Sequence, residues 1–211
     1  ISPYVYCMNN PVNSIDPDGR KIVIAGNREQ RLRVLTELQK LTNDQLGVKY
    51  NGVVTIRANG TKNRGMKLTT GTSLISELAG HEKTVTIIPG DSYRENGVYV
   101  HDAFNGKGTD SRVYYDFDSN VPVVVHDRKT GKGVKENIPC HIALGHELIH
   151  AHKSLKGIAK EGNLLYSYVG EKDSVSVKIE ELETVGIGKY NYRFTENDLR
   201  EEENLNERLR Y

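Results

Sequence analysis

The sequence predicts an α+β domain in which a small sheet packs on a helix that carries two histidines one turn apart. Strand-like apolar runs dominate the chain up to residue 125, and runs with helical spacing follow them. Strands first and helices afterwards are typical of α+β folds. A net charge of +1 gives no indication of a nucleic-acid-binding surface. No apolar run approaches the ~18 residues that a membrane span requires.

The individual elements follow from periodicity and from the turn residues between them. Residues 21–26 (KIVIAG) form a short apolar run that predicts a buried strand, and residues 28–41 repeat apolar side chains at helical spacing. The same criteria predict strands at 53–57, 83–88, 112–117 and 121–125, and helices at 74–78, 174–185 and 196–211. Pro122 lacks a backbone N–H, so the strand at 121–125 is expected at a sheet edge.

A further helix of about four turns is predicted between Asn137 and Gly157. Asn137 is a suitable N-cap, Pro139 suits the first turn, and Gly157 is a natural stop. Its apolar flank consists of Ile142, Ala143, Ile149 and Ala151. This pattern indicates a buried helix.

The run His146-Glu147-Leu148-Ile149-His150 (HELIH) gives this helix its chemistry. Because His146 and His150 are four residues apart, a helix places both imidazoles on one face, within reach of a single ion. Glu147 projects about 100° around the helix and can take a proton from a water molecule at that ion. The spacing predicts a zinc hydrolase; a core helix with two incidental histidines is the alternative.

A catalytic zinc site needs a third protein ligand. The position six residues after His150, where another known pattern has its third histidine, is Lys156. His141 and His152 point away from the face that His146 and His150 share, and His152 is expected at the surface or beside a ligand. The remaining candidates are the carboxylates Glu161, Glu171, Asp173, Glu180, Glu181 and Glu183.

A helical wheel of residues 174–186 narrows this set. Its apolar face consists of Val175, Ile179, Leu182 and Gly186. Glu181 and Glu183 flank that face, and Glu180 lies further round the helix. Periodicity does not choose between Glu181 and Glu183.

The run HELIHAHKSLKG, followed by EELETVG at 180–186, resembles the active-site motifs of the clostridial neurotoxin light chains. The resemblance implies that Glu181 is the third zinc ligand. It also implies that Glu180 does not bind the zinc but contacts one of the residues that do. Lys153 stands where the light chains carry a histidine, so the contact of Glu180 is expected to differ.

The C-terminal segment resembles the same proteases. Thr195-Glu196-Asn197 is followed by the run Arg208-Leu209-Arg210-Tyr211, similar to their TE…RxxY stretch. The resemblance implies that Glu196 orients a neighbouring group, and that Arg208 and Tyr211 stabilise the oxyanion of a tetrahedral intermediate.

The complete set of motifs also resembles the NleD-like metallopeptidase effectors, which occur behind Rhs cores. This resemblance implies a zincin-like domain of the gluzincin type, in which a small sheet packs on the HExxH helix and on a second helix that carries the glutamate. Loops between Gly47 and Gly108 are expected to shape its cleft.

The first twenty residues differ from the rest in their density of Asn, Pro, Asp and Gly. They resemble the end of the Rhs repeat-associated core through Pro3, Tyr4, Tyr6, Asn9, Asn10, Pro11, Asp16, Pro17 and Gly19. Arg20 stands where that family usually has the Leu that precedes self-cleavage. The resemblance divides the chain into the tail of an Rhs core (1–20) and a toxin domain (21–211). Because the sequence does not begin with Met, it is expected to be a piece of a longer protein.

These resemblances imply a zinc endopeptidase with one Zn²⁺ per chain. It would be a secreted or injected Rhs-type toxin that leaves its Rhs shell and cleaves a protein in the cytoplasm of a target cell. A cognate immunity protein is a further expected partner. The alternative is a non-catalytic binding module, either metal-free or stabilised by zinc. A structural zinc site is normally closed by four ligands rich in cysteine, and only Cys140 lies near the HELIH run.

Overall fold

The computed structural model describes residues 21–58, 65, 67–118, 120–168 and 173–211. The predicted boundary after residue 20 and the candidate ligand Glu171 lie outside these residues. The helices are α1 (Arg28–Lys40), α2 (Thr69–Gly80), α3 (Cys140–Lys156), α4 (Ile179–Val185) and α5 (Glu196–Glu202). The strands are β1 (Ile22–Ile24), β2 (Gln45–Val48), β3 (Val54–Arg57), β4 (Val85–Gly90), β5 (Arg94–Gly97), β6 (Ser111–Asp116), β7 (Pro122–His126), β8 (Gly133–Asn137), β9 (Asn163–Tyr166) and β10 (Val175–Lys178).

Four strands form the main sheet, in the order β1-β4-β6-β5. Strands β1, β4 and β6 are parallel, with Val85 opposite both Ile22 and Ser111, and β5 pairs antiparallel with β6. Their fully buried side chains are Ile22, Ile24, Val85, Ile87, Val113 and Tyr115. Strand β5 is the outer strand on its side, so one of its edges has no partner strand in the described part of the chain.

Helix α3 lies at the centre of the core. It contacts β5 and β6 in the sheet, and helices α1, α2, α4 and α5 pack on it. Every residue from Ile142 to Leu155 is buried. Because α4 carries Glu181, the predicted fold class is confirmed: an α+β, zincin-like domain whose small sheet packs on the HExxH helix, with a second Glu-bearing helix beside it.

The ends of α3 match the sequence prediction only in part. The prediction that Asn137 caps this helix is wrong, because Asn137 pairs with Pro122 at the end of the β7–β8 hairpin. Pro139 takes the N-cap position, just before the first turn. Gly157 ends the helix as predicted, in the left-handed region with φ 70° and ψ 25°. A Cβ added there would lie 2.6 Å from the backbone of Gly106, so the chain passes too closely for a side chain.

Two other predicted helices are shorter in the structure. Residues 175–178 of the segment 174–185 form strand β10, which pairs with β9, and only Ile179–Val185 is helical. The tail helix predicted for 196–211 ends at Glu202. Asn204 then adopts a positive φ of 57°, and the chain turns back so that Arg208 bridges to Val125 in β7. Both predicted helices were too long, because part of each segment pairs with a strand instead of continuing the helix.

None of the helices in the described residues has both the length and the apolar run that crossing a membrane requires.

His152 is a core histidine, which corrects the expectation of a surface or ligand-contacting position. Its side chain is 1% exposed. Its Nε2 lies 3.0 Å from Glu77 Oε2, and its Nδ1 lies 2.9 Å from the Tyr192 hydroxyl. Since a carboxylate only accepts hydrogen bonds, a neutral ring donates from Nε2 and accepts from Tyr192 at Nδ1. Burial, together with the charge of Lys156, lowers the pKa of His152 to about 4.

This depressed pKa predicts a pH-dependent stability. Below about pH 6.5 the unfolded chain binds a proton at His152, while the folded chain stays neutral until about pH 4. The free energy of unfolding should therefore fall as the pH is lowered, by about 2 kcal/mol between pH 7.5 and pH 5. Urea unfolding of metal-free wild type and His152→Gln at both pH values measures this contribution, because all other titrations are common to the two proteins. An equal loss of stability in both proteins would contradict the prediction.

Candidate active site

Three side chains from two helices converge at the middle of α3. The Nε2 atoms of His146 and His150 lie 3.1 Å apart. Oε2 of Glu181 lies 3.2 Å from Nε2 of His146 and 3.1 Å from Nε2 of His150. All three residues are buried. The structure thus brings together the two histidines of the HELIH run and the glutamate that the resemblance assigned as their partner.

The local fold explains how this cluster forms. Spacing of four residues puts the two imidazoles on one face of α3. Glu181 lies in the first turn of α4, directly after β10, and this short helix ends at Gly186 with a positive φ of 83°. The N–H of Ile179 bonds to the carbonyl of Gly162, which ties the start of α4 to the loop after α3.

The outer nitrogen of each imidazole is held by a carboxylate. Nδ1 of His146 lies 2.9 Å from Glu196 Oε2, and Nδ1 of His150 lies 3.1 Å from Glu180 Oε1. Because a carboxylate accepts, each Nδ1 carries the hydrogen and each Nε2 presents its lone pair inward. Two such lone pairs and the Glu181 carboxylate then face one another.

This donor set fits a zinc ion. Three acceptors at 3.1–3.2 Å from one another repel unless a cation lies between them. Ligand atoms about 2.0–2.1 Å from tetrahedral zinc would be separated by about 3.3 Å. Among the described residues, His146, His150 and Glu181 form the group that can hold a metal ion, so the fourth position is open, as in catalytic rather than structural sites.

The electrostatics of the cluster also favour a positive charge. Burial disfavours protonation of His150, but hydrogen bonds to Glu180 and Glu181 outweigh it and raise its pKa to about 10. Burial likewise opposes ionisation of Glu181, yet its hydrogen bonds to both imidazoles hold its pKa well below the usual range. The carboxylates around the cluster therefore favour a positive charge, which either a bound proton or a metal ion can supply.

Glu180 is fixed by two further contacts behind His150. Lys153 Nζ lies 3.2 Å from Glu180 Oε1 and 3.0 Å from Thr184 Oγ1, and the Lys153 side chain is 1% exposed. The backbone N–H of Lys160 donates to Glu180 Oε2 at 2.7 Å. Lys153 therefore supplies a buried positive charge to the carboxylate that orients His150, and this role was not predicted.

Glu196 performs the same task behind His146. It is fully buried, and its two oxygens receive Arg200 Nε at 2.7 Å and Arg208 Nη1 at 2.6 Å. Burial opposes its ionisation, but the charge of Arg208 and the bond to His146 lower its pKa far below the usual range. Asn197 exchanges hydrogen bonds with the backbone of Arg208, at 2.7 and 3.1 Å, and so pins the returning chain.

Gly145 permits this arrangement. A Cβ on Gly145 would lie 2.5 Å from a methyl group of Leu199 in α5. Leu199 is one turn beyond Glu196, so the missing side chain lets α5 pack closely enough on α3 for Glu196 to reach His146.

Glu147 faces an open cavity of about 750 Å³ that also touches His150, Glu181 and Tyr211. Burial raises the pKa of Glu147, although the neighbouring imidazoles of His146 and His150 oppose the shift. Its carboxylate accepts a hydrogen bond from the backbone N–H of Glu95 in β5. The position suits a group that exchanges protons with molecules in the cavity.

Glu95 itself was missed by the sequence analysis. Ser111 Oγ donates to its carboxylate at 2.6 Å, and Ser154 in α3 donates as well. These hydrogen bonds attach β5 to α3 and so fix the position of the Glu95 backbone N–H that contacts Glu147. A four-residue edge strand with the sequence RENG has no apolar alternation, so periodicity did not reveal it.

Tyr211 and Arg208 lie together beside the cluster, but only Tyr211 lines the cavity. The Tyr211 ring stacks on His146 with centroids 6.0 Å apart, and the Arg208 guanidinium lies 5.2 Å from the Tyr211 ring centroid. The Tyr168 hydroxyl accepts from the Tyr211 N–H at 3.2 Å and donates to its carbonyl at 3.4 Å. Tyr168 is therefore an anchor for Tyr211 that the motifs did not indicate.

The other candidates lie elsewhere. His141 binds Glu203 at 2.8 Å, on a different side of α3. Glu183 lies 3.6 Å from Lys153, on the outside of the cluster. Glu161 lines the cavity, and Asp173 lines a neighbouring one.

Comparison with known proteins shows the family of the chain. The Peptidase_M91 family, described as an effector protein, matches residues 63–211. The structure is similar to the crystal structure of the botulinum neurotoxin type D light chain, with 22% sequence identity and a TM-score of 0.37. That match covers 56% of this chain and 30% of the light chain, so the chain spans about a third of that protein. No curated protein sequence matches. Because the family match extends over more than half of its length, the chain belongs to the Peptidase_M91 family of effector proteins.

Proposed function

We propose that this chain is a zinc-dependent endopeptidase, with one Zn²⁺ held by His146, His150 and Glu181. The observation that carries the proposal is the convergence of three acceptor atoms within 3.2 Å of one another, with both imidazoles tied from behind by carboxylates. Bound zinc would supply a Lewis acid that activates water and polarises a peptide carbonyl.

Glu147 acts as the general base in this proposal. Its carboxylate takes the proton from the attacking water and returns it to the nitrogen of the leaving amine. Its raised pKa suits both transfers, because the proton must be held and then released. The N–H of Glu95 keeps the carboxylate directed at the cavity.

Tyr211 and Arg208 stabilise the negative charge that develops on the carbonyl oxygen. The Tyr211 hydroxyl donates to that oxygen from the cavity wall. Burial is the main cause that raises the pKa of Tyr211, so the hydroxyl stays protonated. The Arg208 guanidinium contacts both the Tyr211 ring and the Glu196 carboxylate. It therefore holds the Tyr211 ring in place and adds positive charge beside the carbonyl oxygen. Removing a single donor of this kind costs about 3 kcal/mol in other enzymes.

The substrate backbone has a docking edge in β5. Residues 93–97 line the cavity in one continuous stretch, and β5 is the outer strand of the sheet. An extended peptide can add to such an edge through main-chain hydrogen bonds, which places a peptide bond beside Glu147.

The biological setting that we propose is a polymorphic toxin. The chain belongs to a family described as effector proteins, and residues 1–20 resemble the end of an Rhs core. In this setting residues 21–211 are the toxin domain, which leaves its Rhs shell and cleaves a protein in the target-cell cytoplasm. A cognate immunity protein protects the producing cell.

Metal removal tests the function directly. Treatment with a chelator is expected to abolish cleavage of an unfolded protein substrate, because the centre then lacks its Lewis acid. One equivalent of Zn²⁺ should restore cleavage, while Mg²⁺, which prefers six oxygen ligands, should not. The measurement is the rate of new N-termini in a mass-spectrometric assay. Cleavage that persists in the chelated protein would refute the proposal.

A further inference from the structure

Resting on the proposed function, we infer that the metal cavity continues past Tyr211 into a second cavity, and that the joined groove selects substrates with acidic side chains near the scissile bond. The first cavity has a volume of about 750 Å³ and the second about 650 Å³. Asn163, Lys178 and Tyr211 line both cavities. These three residues therefore form the junction of one groove, which we call the joined groove.

The joined groove is lined by two strands. Residues 93–97, which include β5, line its first part, and residues 175–178 of β10 line its second part. Glu147, the proposed base, lines the first part, and Tyr211, the proposed oxyanion donor, lines both. A peptide that occupies both parts places side chains on either side of the cleaved bond.

Basic side chains outnumber acidic ones along the walls of the joined groove, apart from the metal centre. Among the described residues, the charged side chains that line it outside the metal centre are Arg94, Lys160, Lys178 and Arg210 against Glu95, Glu161 and Asp173. This leaves an excess of one positive charge. Of these carboxylates, Glu95 is already engaged within the protein, since Ser111 and Ser154 donate hydrogen bonds to it.

The metal centre carries three carboxylates that also line the groove, Glu147, Glu180 and Glu181. Glu180 is paired with Lys153, and the charges of Glu147 and Glu181 would be balanced by the bound Zn²⁺ of the proposed function. The substrate side chains that enter the groove therefore meet a positive electrostatic potential from its walls.

Lys178 and Lys160 are the basic residues most available to a substrate. Both are exposed, and within the described residues neither ammonium group has a hydrogen-bond or ionic partner. Lys178 lies at the junction beside Tyr211, so an acidic side chain bound there sits close to the scissile bond. Arg210 lies further along, with its guanidinium 5.9 Å from the Tyr168 ring centroid.

The expected preference for acidic side chains is moderate, because the ion pairs that they would form with Lys178 and Lys160 are exposed to solvent. Each exposed charge pair contributes about a three- to fivefold change in kcat/KM, and the preference should weaken at high salt. Such a preference is large enough to be seen in a mixture of many competing peptides.

The test is to profile cleavage sites in a proteome-derived peptide library with zinc-loaded protein. We compare wild type, Lys178→Glu, Lys160→Glu and the control Lys132→Glu, an exposed lysine in the β7–β8 hairpin turn. Zinc content is measured for each. The wild type and the control should enrich Asp and Glu within about four residues of the cleaved bond. Each groove variant should lose that enrichment by about three- to fivefold and gain cleavage next to Lys and Arg.

Two results would overturn the inference. If wild type cleaves peptides without acidic enrichment, or if both groove variants keep the enrichment with full zinc content, the joined groove does not select charge, while the proposed peptidase function stands. If zinc-loaded wild type cleaves no peptide and no unfolded protein, both the inference and the proposed function fail.

Discussion

Replacing Glu147 with glutamine is expected to lower kcat/KM for peptide cleavage by about 10²- to 10⁴-fold, the full contribution of a general base. The amide has the size of the carboxylate and can still accept a hydrogen bond from the N–H of Glu95, but it cannot take a proton from water. Zinc should remain bound, because Glu147 is not one of the three converging ligands. Cleavage rates and zinc content of the purified variant provide the measurement.

The two readouts separate a chemical effect from a structural one. An unchanged zinc content and unfolding temperature, together with lost cleavage, would assign Glu147 to the proton transfer. Cleavage at more than about a tenth of the wild-type rate would exclude Glu147 as the general base.

Replacing Glu181 with alanine should have the second large effect, on metal binding. It removes one of three protein ligands, whereas loss of an outer contact typically weakens metal affinity by only 10–100-fold, so we expect a loss greater than about 100-fold. The measurement is zinc affinity by competition with a chromophoric chelator. Wild type should bind about one zinc per chain.

Glu183→Ala is the matched control, because Glu183 lies in the same helix but points at Lys153 from outside the cluster. It should retain zinc with nearly wild-type affinity. Retention of zinc by Glu181→Ala, or its loss from Glu183→Ala, would move the third ligand away from Glu181.

The part of the fold with strong local signals was predictable from the sequence. The helix with the HELIH run ends at Gly157 as expected, since only glycine enters the left-handed region without strain where Gly106 passes closely. Strands β1, β4 and β6 were found because they are buried and apolar. Spacing of four residues also placed His146 and His150 together.

The rest of the site depends on contacts between distant segments. A helical wheel left Glu181 and Glu183 as alternatives because it assumed that the whole segment was helical, whereas residues 175–178 pair with β9 as a strand. The contacts of Lys153 and Tyr168 likewise join parts of the chain that no local pattern connects. Motif resemblance, not periodicity, pointed to Glu181, Glu196 and Tyr211.

The burial of Glu196 has a consequence for synthesis of the protein. The side chain that holds His146 lies fifty positions later in the chain, and Arg208, its own partner, follows later still. A nascent chain that has reached α3 therefore contains both histidines but cannot yet assemble the centre around them. The contacts that hold His146 are completed only when the segment with Arg208 has been made and pairs with β7.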